Sequence, residues 1–157
     1  MRLYLSFTGT REGMTPDQYI RVIKVIQGLF TETKTKRVNG CYFASAHHGD
    51  CVGADEQFHQ ICALFHLRVV LHPPDNPEAR AFCRAPETRA TKPYLERNRD
   101  IVDDGHILIA APKGKEEQRS GTWATIRYAR SRGRKIFLVK PNGKVVVEKA
   151  KFLEATK

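Results

Sequence analysis

No apolar run in this chain approaches the ~18 residues that a membrane-spanning helix needs, so the membrane is excluded as a partner. The N-terminus opens on an apolar stretch, Leu3–Phe7, without the layout of a signal peptide, and a cytoplasmic protein is expected. Cysteine is sparse. Cys41, Cys51, Cys62 and Cys83 form no CxxC pair, and a chain of 157 residues needs no disulfide staples, so they read as reduced thiols. His47, His48 and Cys51, with Cys41 before them, suggest a metal set. No second ligand pair follows at finger-like spacing, however, and adjacent histidines on an extended segment point to opposite faces. No metal and no cofactor are expected. Repeats, low-complexity tracts and linkers are also lacking, which leaves one domain over 1–157.

Basic residues are in excess in one half only. Residues 1–78 carry 8 basic and 8 acidic side chains, whereas residues 79–157 carry 19 and 9, so the whole net charge of +10 lies in the second half. Such segregation points to an anionic partner, a nucleotide or a nucleic acid.

Short apolar runs alternate with helical patterns. Strands are expected at Leu3–Phe7, Cys41–Ala46, Arg68–His72, His106–Ala110, Lys135–Val139 and Lys144–Val147. Helices are expected at Pro16–Phe30, Ala54–His66, Pro93–Asp103 and Gly121–Arg132. Thr15 and Gln18 frame a capping box with Pro16 in the first turn. The polar stretch Thr31–Asn39 reads as a connection, and Pro73–Lys92 as a long loop with a short helix near Ala79–Phe82. This alternation predicts an α/β, Rossmann-like, three-layer fold on a mainly parallel sheet of five or six strands. Ligands bind such sheets outside the carboxyl ends of the strands, at the switch point in strand order, here Thr8–Gly13, His47–Asp55 and Arg119–Thr122.

In the last of these loops Ser120 caps the following helix, Gly121 allows close approach, and the first-turn N–H groups face outward with Arg119 and Thr122 beside them. These are the elements of a phosphate cradle. The loop Gly49-Asp50-Cys51-Val52-Gly53-Ala54-Asp55 resembles the Gly-Gly-x-x-Gly-x-Asp loop of the SLOG superfamily. That superfamily includes the cytokinin-activating LOG enzymes, molybdenum-cofactor carrier proteins and the DNA-processing protein DprA. Thr8-Gly9-Thr10-Arg11, Arg97-Asn98-Arg99-Asp100-Ile101 and Ser120-Gly121-Thr122 are similar to further motifs of the same group, in the same order, over roughly Leu3 to Pro141. The resemblance implies a nucleotide-derived ligand held by Gly9, Thr10, Arg11, Gly49, Asp50, Gly53, Asp55, Arg97, Asn98, Arg119, Ser120, Gly121 and Thr122. Asp55, an acid beside phosphate, is expected to accept hydrogen bonds from loop amides or a ribose hydroxyl.

LOG-type phosphoribohydrolases carry a glutamate shortly after their Gly-Thr, but here Trp123-Ala124-Thr125-Ile126-Arg127 holds no acid. Glu116 and Glu117 are the remaining candidates for N-glycosidic cleavage. Trp123, Arg127, Arg130 and Arg134 fall within a 60° arc at 100° per residue. They read as a surface for single-stranded DNA, as a subunit interface in a homo-oligomer, or as a packed tryptophan under arginine stems. Arg80, Arg84, Arg89, Arg97 and Arg99 are further candidates to clamp phosphates, and His72 and Asn98 to add polar contacts.

Overall fold

The computed structural model describes residues 3–32 and 45–150. Most of the expected 31–39 connection, and Cys41 with the start of its strand, lie outside the described residues. The elements run β1 (Tyr4–Gly9), α1 (Pro16–Glu32), β2 (Ser45–His48), α2 (Ala54–Leu64), β3 (Val69–Leu71), a 3-10 turn (Pro77–Ala79), β4 (Glu87–Thr88), α3 (Tyr94–Asp103), β5 (Ile107–Ala111), α4 (Gly121–Ser131), β6 (Lys135–Val139) and β7 (Val145–Glu148). Among the described residues the sheet has seven strands, not five or six, in the order β4-β3-β2-β1-β5-β6-β7. Among the described residues only β7 pairs antiparallel in the sheet, with β6. The additional strand, β4, is a two-residue pairing on β3 inside the stretch read as loop.

Each layer follows from side-chain alternation along the strands. Leu5 and Phe7 face α1 and α2, where they join Val22, Ile26, Phe58 and Ile61 in one core. Phe7 stacks on Phe58 with centroids 4.4 Å apart, and burying each ring contributes about 2–3 kcal/mol. On the other face Leu108, Ala110, Ile136 and Leu138 meet Val102, Trp123, Ile126 and Ala129 of α3 and α4.

The start of α1 forms as its sequence predicts. The Gln18 N–H donates to Thr15 Oγ1 (3.1 Å) and the Thr15 N–H donates to Gln18 Oε1 (2.9 Å), a reciprocal capping box. Gln18 Nε2 also donates to the carbonyls of Pro112 and Val139, which ties the helix to the ends of β5 and β6. No helix among the described residues is long and apolar enough to cross a membrane.

Candidate functional site at the carboxyl ends of the strands

Strand order reverses between β1 and β5: the chain after β1 proceeds toward β2, and the chain after β5 proceeds toward β6. The two loops leaving these strands therefore diverge, and a cleft of about 720 Å³ opens where they part. One wall is the β1 loop, Gly9 to Glu12. The other is Lys113, Glu117 to Thr122 and Ala124, with Tyr94 and Leu95 of α3 beside it. A narrow crevice behind shares Gly9, Arg11, Tyr94, Gly121 and Thr122, and adds Gly49, Asp55, Arg97 and Asn98. Three loops distant in sequence thus meet at one place.

The two helix starts facing this region differ. At α2 the Ala54 N–H donates to the Thr10 carbonyl (3.0 Å), so the β1 loop plugs that helix end. Gly53 permits this approach with φ of 91°; a Cβ there would lie 2.2 Å from the Arg11 carbonyl oxygen. Gly53 accordingly packs the two loops together instead of lining the cleft. At α4 the Ser120 hydroxyl accepts from the Trp123 N–H (3.2 Å), and the N–H groups of Gly121 and Thr122 have no intrahelical acceptor. Those groups border the cleft, at the positive end of the helix dipole. The open helix end is at α4.

Arg97 and Asp55 form the buried floor of the crevice. The guanidinium, 3% exposed, donates through Nη1 to the carbonyls of Gly49 (2.6 Å) and His72 (3.2 Å). A Cβ on Gly49 would overlap that nitrogen, so the glycine is needed for the arginine to enter. Asp55 Oδ2 accepts from the Cys51 N–H (3.2 Å), the loop-amide role expected for it. Burial pushes its carboxyl up to about 6, with Arg97 pulling in the opposite direction. Asp50 lies apart from the cleft. Fully buried, it accepts from Arg80 Nε (2.8 Å) and the Cys83 N–H (2.9 Å), and so anchors the loop after β3.

Several residues that the sequence did not single out belong to the cleft. Tyr94 has the guanidiniums of Arg11 and Arg97 at 4.6 and 4.7 Å from its ring centroid, within cation–π range. Glu12 and Lys113 pair across the mouth at 3.4 Å. The aromatic directly after Pro93, at a helix start, was the available signal for Tyr94. The Glu12–Lys113 pair spans residues too distant for any sequence signal. Arg80, Arg84, Arg89 and Arg99, expected as phosphate clamps, do not line the cleft.

The two glutamates separate in role. Glu117 lines the cleft. Glu116 pairs with Arg127 (3.1 Å) and Arg130 (3.2 Å), and these hydrogen bonds hold its carboxyl below the usual carboxylate range. The aromatic–arginine arc of α4 is not a stacking platform. Trp123 is 7% exposed within the core under α4, because Ile126 and Ala129 set which side of the helix meets the sheet. Arg127 bonds Glu116 and the Glu117 and Gln118 carbonyls, Arg130 bonds Glu148, and Arg134 approaches the Val102 and Asp103 carbonyls.

No family model matches the sequence, and no curated protein matches it. Solved structures match its fold. A molybdenum cofactor binding protein from Rippkaea orientalis aligns over 89% of this chain and 77% of its own, at 16% identity and a TM-score of 0.66. DNA processing protein A from Streptococcus pneumoniae aligns over 87% of this chain and 50% of its own, at 19% identity and a TM-score of 0.59. The Helicobacter pylori DNA processing protein A, described by its single-stranded DNA binding mode, aligns over 87% and 64%, at 16% identity and 0.56. A molybdenum cofactor binding protein and DNA processing protein A are kinds of protein whose motifs this sequence resembles. The likeness is one of fold.

Proposed function

We propose that this protein binds a phosphate-bearing nucleotide in the cleft between the β1 loop and α4, with the phosphate at the start of α4. One observation carries the reading: the free N–H groups of Gly121 and Thr122 border a cleft that Arg11, Lys113 and Arg119 also line. A helix N-terminus with cationic side chains beside it is a ready anion site. Tyr94 and Leu95 supply the apolar surface along which a base and ribose can lie. The fold neighbours that bind a molybdenum cofactor and single-stranded DNA are consistent with ligands of this chemistry.

A thermal-shift panel of nucleoside monophosphates, dinucleotides, ribose 5-phosphate and the parent nucleosides tests the reading. A ligand at 100 times its dissociation constant stabilises by ~2.7 kcal/mol, a shift of a few degrees in a chain of this size. Stabilisation by the phosphorylated compounds and not by nucleosides is expected; equal effects from both would refute the phosphate cradle.

Cleavage of the bound nucleotide at its N-glycosidic bond is the finer form of this reading, and the geometry favours Glu117 over Glu116 for it. Glu117 borders the cleft, whereas Glu116 is neutralised by two arginines. The second reading, single-stranded DNA, rests on the basic second half of the chain. Strand binding through the same cleft would fall steeply with salt, by about 0.7 in log affinity per phosphate contacted for each tenfold rise in salt. A mononucleotide loses far less.

A further inference from the structure

A second cluster lies away from the cleft, on the face of the sheet that α3 and α4 cover only in part. By register Ser6, His47 and Val70 share that face with Leu108. Over β5 and β6 it is apolar and buried under the helices. Over β2, β3 and β4 it is polar and opens into a pocket of about 430 Å³, whose lining includes Ser45, His47, Arg68, Arg89 and Asp104. Buried histidines on an open sheet face call for an explanation, since hydrophobic packing does not supply one.

His47 Nδ1 lies 2.9 Å from His72 Nε2, 3.9 Å from Asp104 Oδ2, and His72 Nε2 lies 3.6 Å from that same oxygen. A point equidistant from three atoms so spaced is ~2.0 Å from each, which is the bond length of a zinc-class ion to imidazole nitrogen and carboxylate oxygen. Three atoms of the right kind surround a sphere of the right size. Asp104 Oδ2 is buried and makes no hydrogen bond among the described residues, although buried carboxylate oxygens are normally satisfied.

We propose that His47, His72 and Asp104 form a binding site for a divalent transition-metal ion, with its remaining coordination positions facing the pocket over β2–β4. Two imidazoles and one carboxylate, with open positions, form a donor set suited to zinc, cobalt or ferrous iron and unlike the all-oxygen cages of magnesium and calcium. Ser45 Oγ sits 2.7 Å from His47 Nε2. It would accept the proton on that nitrogen once Nδ1 binds metal, the outer hydrogen bond that ligating histidines require. The metal displaces the hydrogen bond between the two histidines; the acceptor ring already offers its lone pair and only the donor ring changes tautomer, so no net proton is released from them.

The opposing group is Arg89. Its Nη2 is 3.6 Å from Asp104 Oδ2, an ion pair beyond hydrogen-bond range. Its side chain is 48% exposed and can swing into solvent when a cation arrives. The site therefore has a built-in competitor, and its removal must strengthen metal binding.

The test uses the full-length protein stripped with EDTA and titrated with Co²⁺, read by visible absorption, and with Zn²⁺ by competition. One equivalent is expected, without the sulfur-to-cobalt charge-transfer band that the separate His48, His59 and Cys83 grouping would produce. Asp104→Asn is expected to weaken Co²⁺ binding at least 10-fold and to leave the melting temperature in EDTA unchanged or raised. Arg89→Ala is expected to tighten it. His47→Gln provides a second ligand variant, and its fold is checked by circular dichroism. No saturable binding, a thiolate band, or affinity unaltered in Asp104→Asn would overturn the site.

Discussion

Replacing Gly121 by valine should cost the protein its ligand but little of its stability. A Cβ at this position would lie 2.7 Å from Tyr94 Cε1, closer than real Cβ contacts come. The obstacle is a side chain, not backbone, so the ring must retreat by several tenths of an ångström from its place beside Arg11 and Arg97. That displacement costs about 0.5–2 kcal/mol in cation–π contact. Leaving glycine returns up to about 1 kcal/mol of helix propensity, less at a first-turn position and for a β-branched residue. Net stability should change by less than ~2 kcal/mol. The ligand suffers more, because the isopropyl group covers the N–H groups of Gly121 and Thr122. Losing one charge-assisted hydrogen bond costs ~1.5–3 kcal/mol, an affinity loss of roughly 10- to 150-fold. Calorimetric titration of wild type and variant with AMP, alongside thermal melts, measures both quantities. Equal AMP affinity in the two proteins would refute the placement of phosphate at α4, and an unfolded variant would show that Tyr94 cannot move.

Gly53→Ala, in contrast, should destabilise by at least ~2 kcal/mol in urea unfolding, because it meets both a positive φ and the Arg11 backbone; a smaller effect would mean that the two loops are not in contact. Stability should fall on acidification from pH 6.5. His47, His72 and His48 are held neutral by burial, so their contribution is complete above 6.5 and is lost as the pH falls toward about 4 and 3 for the first two. His47 and His72 would each lose about 1.5 kcal/mol between pH 6.5 and 5, partly offset by Asp55, whose raised carboxyl stabilises the fold as the pH falls through about 6. Urea midpoints that do not change over this range would contradict the burial of the histidines. Arg127→Ala with Arg130→Ala should leave the salt slope of single-stranded oligonucleotide binding unaltered, since both arginines are paired internally; a slope reduced by about 1.4 would restore them as phosphate contacts. Glu117→Gln should abolish any release of free base from nucleoside monophosphates while Glu116→Gln does not, as followed by chromatography of the free base.

Local signals carried most of the fold. The Thr15–Gln18 box lies within four residues, and the apolar runs of β1, β5 and β6 alternate or continue plainly, so those elements were legible within one or two residues. β4 was not, because Glu87 and Thr88 carry no apolar pattern and pair only through the fold's approach to β3. β2 reaches two residues further than expected, to His48. Polar residues there are buried because His48 Nε2 bonds His59 Nδ1 (2.9 Å) and His47 bonds Ser45 and His72, partners that no periodicity reveals. Within the candidate site the Ser120-Gly121-Thr122 turn was readable from loop composition, and the glycines and Arg11 from the family resemblance. The burial of Asp50, the plugging of α2 and the part of Tyr94 were not, since each depends on two loops meeting across the sheet. The α4 arc was geometrically right, but a helical arc does not state which side faces the core.

The most direct measurement of the central claim is a residue-resolved one: ¹H–¹⁵N correlation spectra of the protein titrated with AMP and, separately, with adenosine. Phosphate on the start of α4 predicts saturating shifts of the Gly121 and Thr122 amides with AMP that adenosine does not reproduce, because charge-assisted bonds to those N–H groups need the phosphate oxygens. Amides at 121 and 122 that stay in place while AMP binds, or that move equally with adenosine, would contradict it.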